Sequence, residues 1–227
     1  MELVVAIDGP SGVGKSTVGR AVAARLGVPY LDTGAMYRAL GLAVKREGIA
    51  LPLEDPEAVV TLASRVDVRV TGSSADARTW LNAEDVSREI RTPEISAYAS
   101  AVSAVPGVRR RLAGMQRRLA LEGGGVLEGR DIGTVVIPET PHKFFLTASA
   151  EVRARRRFAE LVARGSPQSF AEVLSEMVAR DRADSTQADS PLTDDGTYTR
   201  IDTSALPVEA VVDLVLSAVG RPSPPPG

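Results

Sequence analysis

Nine residues, GPSGVGKST from Gly9 to Thr17, combine types and spacing that can hold phosphate. They fit G-x-x-x-x-G-K-[ST], with Gly9, Gly14, Lys15 and Ser16 in the fixed places. Glycines at this spacing let backbone N–H groups turn toward phosphate oxygens, and a helix opening at the loop's end adds partial positive charge. In such a cradle Gly9, Pro10, Ser11, Gly12, Val13, Gly14, Lys15, Ser16 and Thr17 surround the phosphates. The Lys15 ammonium reaches the β and γ groups, and the Ser16 hydroxyl binds Mg²⁺. The loop therefore predicts ATP or GTP binding. A guanine-specific GTPase usually reads its base with N-K-x-D, but the sole asparagine, Asn82, lies in LNAED, and the L-S-G-G-Q of transporter-type ATPases is absent. A small-molecule kinase is the leading class, and a regulatory or nucleic-acid ATPase is the competitor.

Other residues suit the same chemistry. Phosphoryl transfer needs water excluded and charge neutralised, which calls for arginines on an element able to close. In AEVRARRRFAELVARG, Arg153, Arg157 and Arg164 fall along one helical stripe with Arg156 adjacent, and Phe158, Leu161 and Val162 mark the apolar side. This pattern predicts a small lid over about 151–165 and leaves open which of its arginines contacts the moving phosphate. LDTGAMYRAL (31–40) places Asp32, Thr33 and Arg38 where a helix begins, so Asp32 or Thr33 can cap free N–H groups. His142, the only histidine, sits between Pro141 and KFFLT and reads as a loop residue. Multi-histidine metal sites are thereby excluded, and the chemistry above needs no histidine.

The elements that must position these groups alternate. LVVAI (3–7), VLE (126–128), KFFL (143–146) and YTRID (198–202) read as buried strands separated mostly by amphipathic segments, the pattern of a parallel α/β sheet flanked by helices. Val18, Val22 and Leu26 recur every fourth residue, and Gly27 with Pro29 ends that helix. From about 51 to 90 the reading changes: VDVRV and RTWLN are short strands around the turn-rich TGSSADA, an insertion with its own small sheet. EISAYASAVSAV and GVRRRLAGMQRRLA follow as helices, and RPSPPPG at the end reads as a flexible tail.

A chain of 227 residues, 44% hydrophobic and 25% charged, fits one globular unit. Its net charge of -2 offers no global attraction to nucleic acid or anionic membrane, and no stretch is apolar enough for a membrane span. With no cysteine and no secretory signal at the N-terminus, a soluble cytoplasmic protein is expected.

In this order GPSGVGKST, LDTGAMYRAL, VSREIRTPEIS, EGRDIGTVV and RDRADS…DSPL resemble the motifs of bacterial cytidylate kinases. The resemblance implies transfer of the γ-phosphoryl of ATP to CMP or dCMP with Mg²⁺; a monomer is expected. It also implies a P-loop kinase core (1–36, 121–150 and 166–220), a nucleoside-monophosphate-binding insertion (about 37–120), a lid (about 151–165) and a tail (221–227). Carried over residue by residue, Thr33, Arg38 and Arg130 would contact the CMP phosphate, Ser100, Arg109 and Asp131 the cytosine, and Arg180 and Asp184 the ribose. Lys15, Arg130, Asp131 and Arg157 would be the catalytic set. Cytosine offers an N4 donor beside N3 and O2 acceptors, so a carboxylate with an arginine and a hydroxyl can read its edge. The family's arginine just before the final Ser-Pro-Leu is replaced here by Gln187, a neutral amide that cannot supply the charge, and Arg182 is a candidate substitute. A uridylate or shikimate kinase would share the cradle but lack the cytosine-reading set.

Overall fold

Val4–Asp8 is a five-residue apolar run closed by a carboxylate, and all five side chains are buried, as in a strand covered on both faces. The structure, a computed structural model, describes residues 2–71, 76–163, 165, 167–187 and 189–220. This first strand, β1, pairs in parallel with β7 (His142–Thr147), which pairs in parallel with β8 (Thr199–Asp202). With β2 (Tyr30–Asp32) and β6 (Gly125–Gly129) they form a five-stranded sheet ordered β2-β6-β1-β7-β8. Helices α1 (Lys15–Leu26), α6 (Ala150–Ala163), α7 (Phe170–Ser185) and α8 (Val208–Val219) follow strands or connect them, so the architecture is the expected α/β one. None of the described helices is long and apolar enough to cross a membrane.

The chain divides into two compact units, residues 5–22 with 128–227, and residues 1–4 with 23–127. In the first, α1 opens at the P-loop lysine and buries Val18 and Val22. It ends where Gly27 adopts φ +68°. α6 and α7 share a small core of Ala154, Leu161, Val173 and Met177 with Phe158, Phe170 and Leu174 against it. Val162, expected on that apolar side, is 54% exposed, because Leu161 already fills the space toward α7. His142 is not a loop residue: it opens β7, paired in register with Val5. Its N–H donates to Thr140 Oγ1 at 3.3 Å, which fixes the strand's start one residue before KFFL.

The second unit is built around α2 (Thr33–Arg46), whose Ala35, Met36, Ala39, Leu40 and Val44 lie in a core shared with α3 (Pro56–Arg65), α4 (Pro93–Ser103) and α5 (Pro106–Gly123). Gly41 permits the close approach of α4, since a Cβ there would stand 2.9 Å from Ala99 N. The expected small sheet is present and antiparallel: β3 (Val68–Thr71), β4 (Arg78–Leu81) and β5 (Glu84–Asp85), in that order. RTWLN loses its last residue to a turn, where Asn82 takes φ 56°. α3 is additional to the expected elements, and its start is local: Asp55 caps Glu57 and Ala58, with Pro56 in the first turn. The tail (221–227), Arg164 and most of TGSSADA lie outside the described residues.

Candidate active site

Leaving β1, the chain turns through Gly9 at φ +144°, where a Cβ would stand 2.2 Å from the Leu146 carbonyl oxygen; only glycine fits. Side chains then pin three loop carbonyls. Pro10 O accepts from Lys15 Nζ at 2.7 Å, Ser11 O from Arg153 Nη1 at 3.1 Å, and Val13 O from Thr203 Oγ1 at 3.0 Å. Gly12 lies against Met177, whose Cε would be 2.9 Å from an added Cβ. Three side chains of the protein itself thus hold the loop's shape, and the N-terminus of α1 adds its field. Ser16, in the first turn of α1, presents an exposed hydroxyl, the neutral oxygen donor a hard cation takes. Among the described residues no group of three or more His, Cys, Asp or Glu could hold a metal by itself. That donor set fits an ion carried in on nucleotide phosphates.

Lys15 is buried, and its ammonium is pushed down to about 7, first by lost hydration and then by the Arg130 guanidinium. Glu128 and Asp8 oppose the shift, while Arg180 adds to it. A phosphate anion beside the ammonium would offset both effects by Coulomb attraction. Arg130 Nε donates to Asp184 Oδ2 at 2.7 Å, and α7 runs to Ser185, so Arg180 and Asp184 share a helix face as their spacing implied. The structure therefore brings Lys15, Arg130, Arg180 and Asp184 together. Asp131, 7% exposed, follows Arg130 and leads into a π-helical turn, Ile132–Val136.

Asp8, at the end of β1, joins this group. Its Oδ1 accepts from Ile132 N at 3.0 Å, and its Oδ2 from Gly133 N at 2.9 Å and Tyr198 Oη at 2.8 Å. Burial pushes the carboxyl up to about 6 despite those donors, and the Asp131 charge contributes. The signal available was a carboxylate ending an apolar strand directly before the cradle.

In the other unit Asp32 Oδ1 accepts from Ala35 N at 2.9 Å and so caps α2. Its Oδ2 accepts from Arg38 Nη2 at 2.8 Å and Arg91 Nη2 at 3.4 Å. Two guanidiniums converge at a helix N-terminus, beside Gly34, where a Cβ would come within 3.2 Å of Arg38 Nη1. Thr33, 3% exposed, is the first residue of that helix. Arg91, in VSREIRTPEIS, gains this contact only through the fold, 59 residues along the chain from Asp32. Within the run Arg109–Arg111, Arg109 is buried and its neighbours are solvated. Its Nη1 donates to Ser103 O at 3.3 Å, and Ser103 Oγ donates to Ser100 O at 2.8 Å, which sets Ser100 and Arg109 on one short stretch of α4 and α5.

The expected lid stripe separates into different environments. Arg153 is only 4% exposed. It donates to Ala148 O at 3.0 Å, to Ser11 O, and to both Asp181 oxygens at 3.1 and 2.6 Å. It braces the cradle to α7 and is not on an open face, because a buried guanidinium must find acceptors for its N–H groups. Arg156 donates to Thr203 O at 2.6 Å, whereas Arg157 keeps a partly exposed pairing with Glu160 Oε2 at 3.1 Å. Gln187 is half-buried just past α7, and Arg182 is exposed on that helix.

Comparison with known proteins agrees with these motifs. The family described as Cytidylate kinase matches residues 5–221. The cytidylate kinase of Caldanaerobacter subterraneus subsp. tengcongensis is 49% identical over 217 residues, 96% of this chain and 94% of its own. That of Pelotomaculum thermopropionicum is 47% identical over 95% of both chains. That of Rhodococcus opacus is 47% identical over 97% of this chain and 96% of its own. An uncharacterized protein of known structure from Eubacterium ventriosum shares the fold, with a TM-score of 0.54 at 14% identity over 96% of this chain and 98% of its own.

Proposed function

Because the chain belongs to the cytidylate kinase family, we propose that it transfers the γ-phosphoryl group of ATP to CMP and dCMP, releasing ADP with CDP or dCDP. The observation that carries this reading is Lys15, buried in the glycine-rich loop with Nζ donating to Pro10 O at 2.7 Å and its ammonium pushed down to about 7 by lost hydration, a group that phosphate would stabilise in its charged form. Positioning and electrostatics do most of the work in such a transfer, since the protein makes no covalent bond. Lys15 and the cradle N–H groups hold the ATP phosphates, and Ser16 with the phosphates holds Mg²⁺, which would neutralise charge between the β and γ groups. Asp184 accepts from Arg130 Nε at 2.7 Å and Gly129 O from its Nη1 at 3.4 Å, and these contacts orient the guanidinium toward its proposed role at phosphate. Thr33 and Arg38 hold the CMP phosphate with Arg130, and Arg180 and Asp184 hold the ribose. Arg157 serves the moving group from the 151–165 lid.

Ser100, Arg109 and Asp131 read cytosine. Uracil would face the Asp131 carboxylate with an oxygen, and a buried mismatch of this kind costs about 1 to 3 kcal/mol. The net charge of -2 and the absence of cysteine support a cytoplasmic enzyme with small-molecule substrates and no nucleic-acid partner; it is a monomer in this reading. The test is ADP release from ATP with CMP, dCMP, UMP, AMP, shikimate or single-stranded DNA. CMP and dCMP should stimulate it strongly. Stimulation by UMP or shikimate alone, or by DNA, would overturn the reading.

A further inference from the structure

We infer that Asp8 is a positioning residue for the acceptor side of the reaction: its buried carboxylate holds the turn that carries Arg130 and Asp131. The inference rests on the assignment of those two residues to CMP.

Asp8 closes β1, and two of its three donors are the consecutive backbone N–H groups of Ile132 and Gly133. These open the π-helical turn whose first carbonyl, Asp131 O, accepts from Val135 N at 2.9 Å and Val136 N at 3.2 Å. An anion clamped across the first N–H groups of a helical turn fixes where that turn begins, and hence how the two preceding side chains leave it. Tyr198, just ahead of β8, adds the third donor and anchors the carboxylate from the far side.

The arrangement needs a carboxylate. Asparagine has a single acceptor oxygen and would present N–H₂ to one of the donors. Ionisation here is nonetheless unfavourable for folding. The folded chain binds the Asp8 proton more tightly than the unfolded chain, so this group favours the folded state as pH falls from about 6 toward 3.8 and disfavours it as pH rises. A buried charge kept against stability, in contact with the turn that carries proposed substrate contacts, is what a functional residue leaves behind. The titratable groups around it are Asp131 on the turn, Lys15 on α1, the Tyr198 phenol, which in turn lies near Asp195, and Lys143 on β7, whose Cδ would be 3.0 Å from a Cβ on Gly133.

The experiment measures kcat/KM for CMP and for ATP from about pH 5 to about pH 9, with thermal melting, in wild type, Asp8→Asn, Tyr198→Phe and Arg130→Ala. Asp8→Asn should lower kcat/KM for CMP about 10-fold or more, change that for ATP less than about 3-fold, and abolish the acid limb near Asp8's own titration. Its melting temperature should not fall in proportion. Tyr198→Phe should keep activity at high pH and move the acid limb upward, since the phenol favours the ionised carboxylate. Equal losses for CMP and ATP in Asp8→Asn, or wild-type kinetics with an unchanged limb, would overturn the inference. Should Asp8→Asn fail to fold, a Tyr198→Phe limb identical to wild type does the same. An Arg130→Ala enzyme with unchanged KM for CMP overturns the acceptor assignment itself, whereas a loss in Arg130→Ala without one in Asp8→Asn overturns the inference alone.

Discussion

Replacing Arg153 by methionine removes the guanidinium while keeping an unbranched, shorter apolar stem. The wild-type group is 4% exposed. It donates to Ala148 O, Ser11 O and both oxygens of Asp181. Breaking a buried pair typically costs about 3 to 5 kcal/mol. The Asp181 side chain is 25% exposed and can regain water, so the lower end, about 3 kcal/mol, applies. For a chain of this size each kcal/mol shifts the melting temperature by about 2 to 4 °C, so the variant should melt about 6 to 12 °C lower. Freeing Ser11 O loosens the cradle, so KM for ATP should rise more than KM for CMP. Calorimetric melting and steady-state kinetics measure both effects. A double-mutant cycle with Asp181→Asn should show coupling of about 0.5 to 3 kcal/mol. An unchanged melting temperature with a large loss of kcat would refute the brace and restore Arg153 as an arginine acting on the moving phosphoryl group.

Lys15 held down to about 7 should be largely neutral in the free protein near pH 8, so ADP binding there should take up close to one proton, seen by titration calorimetry in buffers of different ionisation enthalpy; no uptake means the ammonium was already charged. Arg38→Ala and Arg91→Ala should each raise KM for CMP about 10-fold or more and leave ATP affinity within about 3-fold, because both guanidiniums meet at Asp32 rather than at the cradle. Gln187→Arg should lower KM for CMP or raise kcat by restoring a missing charge, and unchanged kinetics would show that the charge comes from elsewhere. Asp131→Asn should narrow the preference for CMP over UMP, measured as the ratio of kcat/KM values, by about 1 to 3 kcal/mol.

The sequence by itself determined the parts whose physics is local. A phosphate cradle needs glycines where backbone torsions turn positive and a helix opening at a lysine, and both are consequences of residues within a few positions of one another. Alternation of apolar runs and helical periods likewise yielded four of the five sheet strands and the separate small sheet, since each period reports its own segment. The three-residue β2 was too short for a period to register, and it was absorbed into the helix start at Asp32. The tertiary structure alone decided what the charged side chains do. Asp8 acquires its role from Ile132, Gly133 and Tyr198, Arg153 from Ser11 and Asp181, and Arg91 from Asp32. A helical stripe says which residues share a face but not whether another element covers it, so Arg153 is buried whereas Arg157, on the same stripe, is partly exposed. The cost of burying a charge depends on donors and acceptors brought from distant parts of the chain, and only folding supplies them.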